Sequence, residues 1–587
     1  MRRHFGAVAG AVLTILVHSS LAVAQGVRGA DVLSPAAVAE SLKVLKDLDA
    51  RVRANVNDAR AWHRLGMIAW ALAERGKAPG APGGLDPTRY GRMADTSLRM
   101  AAQMAPANAQ YRLMVGSYLL SSGSAAPRFA AMGFFEQSVD AARRSGDSTT
   151  LAEALLEVGR ARWRKYEGFS NRRIETTPGS ALRSISDAMT PAAADPETGA
   201  DVPMYNMKLV REALDRGTMP LPASVTGEAD YTRAADLFRE ALAINPANAR
   251  AFRSVAMVFA ERDNWSELEV AARNQLKQIP WDAWAWMALG LASHRTGNIT
   301  AASAAFDSAF TYLEPAERTR LDRLGRLRPR GDASPMVSGT DAELAAYRRL
   351  YWLFADPLWS RSGNESRIEY FSRVAFAELR WTVEDMHVLG ADSDRGEIYI
   401  RFGPPDIQAA VGPDAQGSGD YSLIWVYRSG LMFAFTGTIG FGTLRAPHGD
   451  VEGATAMIRS QPVRWDNVAS IRVDSVPTQY ARFRGDSGTV DLYLAAQPPV
   501  DSIRKYSDMG AVKGYVWLLT SSTALVFRDS AQLAAKGSQS WSRRVPPGTY
   551  IYRAEATSDG AQRGGRATVL INATASATSG FSQRGFD

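Results

Sequence analysis

Ser487 is the first side chain that could do chemistry. In Gly485-Asp486-Ser487-Gly488 a hydroxyl stands between an acid and a glycine, a setting used for serine nucleophiles. An activated serine needs a histidine base. Beyond the first residues the histidines are His63, His294, His387 and His448, none in a supporting motif, and the tetrapeptide falls between two strand-like runs where a hairpin turn is expected. Asp392, Asp394 and Glu397 around Gly396 have part of a calcium loop's spacing, but the D-x-D-x-D-G order is incomplete and the glutamate comes too early. Gly437-Thr-Ile-Gly-Phe-Gly442 has its glycines in the wrong order for a dinucleotide loop, and no H-E-x-x-H or Walker A sequence occurs. The absence of cysteine removes disulfides, thiol nucleophiles, zinc–thiolate sites and a lipidated cysteine. These residues assign no catalytic group, no metal site and no cofactor.

Recognition is the chemistry that remains. Trp281-Asp-Ala-Trp284-Ala-Trp286 places three tryptophans within six residues, enough for a binding hot spot if helices present them on one face. From Ala61 to about Arg326 the chain is rich in Ala, Leu, Arg and Glu with helical periodicity. Pro246 and Pro280 lie 34 residues apart, and Ala234, Phe238 and Ala241 form the A-x3-F-x2-A pattern of a helix closing before Pro246. Thirty-four is the tetratricopeptide period. The register then puts Trp286, Leu289 and Gly290 in the W-x2-L-G slots and Ala302, Phe306 and Ala309 in the following helix. Trp62, Leu65 and Gly66 open an earlier unit, and Gly116 with Phe135, then Leu155 with Gly159, mark weaker ones.

Five or six helical hairpins are expected, with small residues letting paired helices approach and Trp, Leu and Phe filling the space between hairpins. A single hairpin cannot bury that face, so the units stack into a solenoid whose groove suits a protein or peptide. The first helices aim Arg250, Arg253, Trp284, Met287, Leu291, His294 and Arg295 at that groove. Arginine beside aromatics favours an acidic or extended peptide. A polar insert near 171–230 interrupts the array.

After a linker-like stretch from Pro329 to Thr340, Asp341–Leu379 reads as helical. Glu397–Phe402, Leu423–Tyr427 and Leu431–Phe435 read as strands by alternation, and further strand patterns recur to Asn572, suggesting a β-sandwich over 462–573 and a flexible tail over 574–587. Arg401-Phe-Gly-Pro-Pro-Asp406 is expected to be a strand ending in a rigid turn. The alternative is a ligand surface of Asp394, Arg395, Arg401 and Asp406 with Trp425 and Tyr427.

Asp356-Pro-Leu-Trp359, Arg373-Val-Ala-Phe-Ala-Glu-Leu379 and Asp394-Arg-Gly-Glu-Ile-Tyr-Ile-Arg-Phe-Gly-Pro-Pro-Asp406 together resemble the bacterial GWxTD domain. The resemblance covers 341–445 and rests on Asp394, Arg395, Tyr399, Arg401, Gly403, Pro404, Pro405 and Asp406. The eponymous pentapeptide falls on Gly390-Ala-Asp-Ser-Asp394, with Ala for the family's Trp and Ser for its Thr. The resemblance implies an envelope protein with repeats before the domain and β structure after it, and carries over no enzymatic activity.

The compartment follows from the first residues. Arg2 and Arg3 precede an apolar run to Leu21 that ends in Ala22-Val-Ala24, the form of a secretory signal over 1–24. No later stretch is long and apolar enough to span a bilayer. Removing the leader lowers the formal charge from +7 by its two arginines, a mild excess that gives no nucleic-acid footprint. The expected plan is an N-terminal α-solenoid of tetratricopeptide-like repeats over 31–328, a central α+β GWxTD-like domain and a C-terminal β-sandwich. The expected function is a scaffold or adaptor exported to the periplasm or cell envelope of a bacterium, binding protein partners without catalysis. The competing reading is an enzyme or carbohydrate-binding protein with its site in the GWxTD-like and β half.

Overall fold

The computed structural model describes residues 34–78, 81–121, 125–170, 227–327, 340–383, 388–411, 422–427, 432–436, 443–445, 472–505, 511–533, 539–558, 563–574 and 580–582. The leader, most of the polar insert, the linker, His387, His448 and Gly437–Gly442 lie outside the described residues. The chain divides into two compact units. One holds the described residues up to Ala288 with Val374–Ile400 and Pro404–Ile458; the other holds Leu289–Arg373, Arg401–Gly403 and the described residues from Arg459 onward.

The helical region begins with α1 (Pro35–Ala54) and continues as helix pairs: α2 (Ala59–Lys77) with α3 (Pro87–Met104), α4 (Ala109–Ser121) with α5 (Ala125–Ser145), α6 (Ser148–Ser170) with α7 (Glu228–Ile244), and α8 (Ala249–Glu261) with α9 (Trp265–Gln278). Next come α10 (Ala283–Arg295) and α11 (Ile299–Tyr312). Asp58, Asn108, Asn248 and Asp282 each start a first helix by accepting from backbone N–H groups two or three residues on. The polar insert falls inside the α6–α7 pair, whose helices still pack together.

One steric relation repeats along this region. A Cβ on Gly66 would stand 2.7 Å from Leu98, on Gly116 2.5 Å from Phe135, on Gly159 2.6 Å from Phe238 and on Gly290 2.7 Å from Phe306. The glycine slot thus exists because the large residue of the second helix lies flat on the first helix's backbone. The tryptophan slot adds a hydrogen bond to its packing. Trp62 Nε1 donates to Val56 O at 2.8 Å and Trp286 Nε1 to Pro280 O at 2.9 Å, so each half-buried indole pins the loop entering its own helix, and Trp62 also packs against the core of the helical region.

Also in the first unit, β1 (Ile407–Val411), β2 (Ser422–Val426), β3 (Met432–Thr436) and β4 (Thr443–Arg445) form an antiparallel meander. Phe376 stacks on Tyr399 at 4.7 Å, Trp381 lies 5.5 Å from Trp425, and Trp425 lies 4.9 Å from Phe435, which makes one aromatic core.

The segment expected as a strand over Glu397–Phe402 is instead a helix, α15 (Asp394–Phe402). Ile398, Tyr399, Ile400, Arg401 and Phe402 are all buried, and a helix covered on every side loses the amphipathic period that would distinguish it from a strand. Ser393 Oγ accepts from Gly396 N at 3.1 Å at its start, and Gly403, at φ +77°, ends it before Pro404 and Pro405.

In the second unit, α12 (Pro315–Leu321) follows α11, and a Thr340–Glu343 capping box opens α13 (Asp341–Ala355). The first half of α14 (Glu365–Trp381) packs Phe371 on Phe310 at 4.4 Å, while Tyr370 Oη donates to Leu321 O at 2.9 Å.

The C-terminal region is sheet-rich: β5 (Arg472–Ser475), β6 (Thr478–Arg484), β7 (Val490–Ala496), a short helix α16 (Val500–Lys505), β8 (Lys513–Thr520), β9 (Leu525–Gln532), β10 (Gln539–Val545), β11 (Gly548–Thr557), β12 (Arg563–Ala573) and β13 (Gly580–Ser582). They make two sheets, β10-β7-β6-β13 and β5-β12-β11-β8-β9, antiparallel except where β5 pairs parallel with β12. Leu492 and Leu494 of the first share a core with Val516, Leu518, Tyr552 and Ile571 of the second. The stretch expected as a flexible tail contributes β13, which pairs with Tyr480–Arg482.

A buried clasp ties sheet to loop in this unit. Glu555 accepts from the backbone N–H groups of Trp359 and Ser360 and from Arg553 Nε, and Arg553 donates to the carbonyls of Asp356 and Pro357 at 2.9 Å. The Arg553 guanidinium lies 4.3 Å from the Trp359 ring centroid.

Candidate functional site

The first unit carries a cleft of about 80 Å³ with three walls. Arg160, Trp163, Arg164 and Glu167 of α6 supply one, and Arg250, Arg253, Ser254 and Met257 of α8 supply the second. Both sets fall at i, i+3, i+4 and i+7, the spacing that puts side chains on one helix face. The third wall is Glu378, Leu379 and Arg380 near the end of α14, with Thr382 and Val383 after it.

The charges at the cleft are bound to different degrees. Arg250 donates to Glu153 at 3.1 Å and to Glu157 at 2.7 Å. Burial alone would raise the Glu157 carboxyl, but Arg160 and Arg250 outweigh it and hold Glu157 below its ordinary value. Arg380 pairs with Glu167 at 3.4 Å and with Glu261, which also accepts from Tyr166 Oη at 2.5 Å. Burial nonetheless lifts Glu167 above the usual carboxylate value against the pull of Arg380. Glu378 accepts from Ala391 N at 3.1 Å and Thr382 Oγ1 at 3.0 Å. Arg253 stacks 4.3 Å from the Trp284 ring centroid.

Of the residues expected to line a groove, Arg250, Arg253 and Trp284 therefore come together at or beside this cleft. Met287 and Leu291 do not: both are fully buried, because their face of α10 is packed, and they present no surface to a partner. His294, in the second unit, lies 3.0 Å by Nδ1 from Ser372 Oγ and 3.5 Å by Nε2 from Glu369. This serine–histidine–glutamate geometry has no approach for a substrate, since Ser372 is fully buried in mid-helix. Burial, the largest influence, keeps His294 below its usual pKa despite Glu369. Arg295 is half-buried and helps Arg373 hold the Glu369 carboxyl below its ordinary value against burial.

The GWxTD-like residues do not gather into an exposed site. Arg401 is fully buried and donates to Arg326 O at 2.5 Å; Trp425 and Tyr427 are 1% exposed. Arg395 lies 6.0 Å from the Trp381 ring centroid, and burial lowers its pKa to about 10. Tyr399 belongs to the aromatic core. Gly403 sits against Arg373, where a Cβ would approach the guanidinium to 3.1 Å. Pro405 is half-buried, and Asp394, Pro404 and Asp406 are exposed. Of the alternative ligand surface of Asp394, Arg395, Arg401 and Asp406 with Trp425 and Tyr427, only Asp394 and Asp406 are exposed, and the other four are buried in packing. Gly390 is fixed by contact, since a Cβ there would overlap the Ala377 carbonyl at 1.9 Å.

Gly485–Gly488 is a turn between β6 and β7, closed by Gly485 N donating to Thr489 O at 2.9 Å. Among the described residues no three His, Asp or Glu side chains group as a metal site requires, and no helix is long and apolar enough to cross a membrane.

Sequence reasoning missed Arg160, Trp163, Arg164 and Glu167, although their spacing matches that of Arg250, Arg253, Ser254 and Met257. It could not place the third wall, which comes from far along the chain.

The helix pairs, their glycine slots and the 34-residue interval between Pro246 and Pro280 decide the character of the array. The repeats are tetratricopeptide-like. No protein family and no curated protein matches the chain. Among solved structures it is similar to the MamA protein, at 14% identity over 43% of this chain and 93% of that one, with a TM-score of 0.24. It is also similar to YrrB, described as a TPR protein with an unusual peptide-binding site, at 11% identity over 46% and 95%, TM-score 0.25. The P58(IPK) TPR domain matches at 14% identity over 52% and 95%, TM-score 0.14. At such scores these matches carry no weight for function, and the tetratricopeptide-like character rests on the chain's own hairpins.

Proposed function

We propose that this protein is a scaffold or adaptor, exported to a bacterial cell envelope, that binds a protein partner through its tetratricopeptide-like repeats. The observation that carries the reading is the three-walled cleft, where two successive first helices turn matched faces toward one opening. The secretory form of residues 1–24 supports export. The stretch 341–445 is assigned to a GWxTD-like domain and 462–573 to a β-sandwich; the two sheets with a common core support the latter. The GWxTD-like segment serves as structure, consistent with the burial of Arg395, Tyr399 and Arg401. The site proposed for the partner comprises Arg250, Arg253 and Trp284 with the α6 face; Met287 and Leu291 are withdrawn from it.

Affinity capture from envelope extract tests the reading, with the mature chain beside a variant carrying Arg253→Glu and Trp284→Ala that keeps its helical circular dichroism. A specific protein captured by the parent and lost by the folded variant supports the cleft as the working surface. Capture that the variant retains, or no specific capture, refutes it.

A further inference from the structure

Arg253 differs from its neighbours in the cleft. Its guanidinium stacks on Trp284, and among the described residues it has no acidic partner. A guanidinium backed by an aromatic ring keeps its N–H edge available for bidentate recognition of a carboxylate. The carboxylates that line the cleft already have partners: Glu167 pairs with Arg380, and Glu378 accepts from Thr382 Oγ1 and Ala391 N.

The attraction for an anion rests on Arg253 and not on the net charge of the lining. Of the other lining arginines, Arg250 and Arg160 pair with Glu157, Arg250 also with Glu153, and Arg380 with Glu167 and Glu261. Trp163, Met257, Leu379 and Val383 place apolar surface between those charges. At about 80 Å³ the cleft falls well short of the roughly 300–1,000 Å³ of pockets that enclose a drug-sized ligand. It has room for one side chain of a longer segment that runs on beyond it.

We infer that the cleft is a composite site for an acidic, partly apolar segment of a protein partner, whose carboxylate docks on Arg253 while the chain from Glu378 to Val383 forms the wall beside it. This rests on the scaffold reading above and narrows the partner to one chemistry. It also makes recognition depend on α14, since the repeat helices α6 and α8 provide only two of the three walls.

The test uses the mature full chain and two fluorescein-labelled octapeptides, one alternating Glu and Leu and one alternating Gln and Leu, followed by fluorescence anisotropy. The Glu–Leu peptide binds roughly tenfold tighter or more at low salt, and the preference shrinks as salt is raised. Arg253→Gln removes the preference. Val383→Lys tightens and Val383→Asp weakens the Glu–Leu peptide several-fold, with little change for Gln–Leu; opposite shifts from one position exclude a general loss of fold as their cause. Equal binding of the two peptides overturns the acidic preference while leaving the scaffold reading to its capture experiment. A preference that survives Arg253→Gln overturns the role of Arg253, and Val383 variants without effect overturn the third wall. Binding of neither peptide overturns the acidic site as a whole.

Discussion

The Glu555 carboxylate accepts the backbone N–H of Trp359 at 2.8 Å, joining β11 to a loop 196 residues earlier in the chain. Because Arg553 and Glu555 are both almost wholly buried, their value lies in being complete. Removing one partner leaves an uncompensated charge inside the protein, whereas removing both can cost little. Glu555→Ala is expected to lower stability by about 3–5 kcal/mol. The Arg553→Met, Glu555→Leu double variant should lose less than that single one. Urea unfolding measures both, and a double variant worse than Glu555→Ala would count against the clasp as an interdependent pair.

Asp356 lies beside that clasp, and its carboxyl is pushed up to about 7, chiefly by burial and further by Glu555 and Glu365, with Arg553 opposing. The folded pKa is above the unfolded one, so the folded state holds the extra proton. The stabilisation is complete below the unfolded value of 3.8 and is lost as pH rises through about 7. Asp356→Asn, neutral throughout, should therefore gain about 1–3 kcal/mol over the parent at pH 8. The gap should close as pH falls toward 4. Melting curves across that range check it; a gap that stays constant with pH would discard the buried-acid account.

His63 gives the opposite slope. Burial pushes its pKa down to about 4, and its ring stacks on Tyr111 at 4.6 Å. The folded state resists protonation, so stability present above the ordinary value of 6.5 is lost as pH falls toward 4. His63→Phe should flatten this dependence, worth about 1–3 kcal/mol between pH 7 and pH 4. An unchanged acid limb in the variant would assign the loss to other groups.

The glycine slots make a steric prediction. Gly290→Ala brings a methyl group to 2.7 Å from the Phe306 ring and is expected to cost about 1–3 kcal/mol by overpacking. Phe306→Leu in the same chain should recover part of the loss. Thermal unfolding of the four chains of the cycle reads the coupling, and strict additivity would mean that the two residues do not press on each other.

The repeats were legible because their signals are local: Trp62, Leu65 and Gly66, or Trp286, Leu289 and Gly290, lie within one turn or two of each other. The α15 segment was misread because Glu397-Ile-Tyr-Ile-Arg-Phe402 alternates, and alternation implies a strand only where one face meets water. Here both faces are covered, and the better signal was Gly403-Pro404-Pro405, a helix stop. The cleft was half legible. Periodicity placed Arg253 and Trp284 on a helix face, but it could not tell that Met287 and Leu291 would be covered, nor bring Val383 beside Arg253, because those facts depend on packing between distant segments.

The sheet pairing has a consequence for how this region comes into being. β5 and β6 are made early, yet β5 pairs with β12 and the outer side of β6 with β13, partners made much later in the chain. Until then the hydrogen-bonding rims they will cover stand open, inviting neighbouring chains to pair there. The slow, long-range closure of both rims is the moment at which this protein is most exposed to misassembly. A helper that shields nascent strands would do most good between the synthesis of β7 and that of β13.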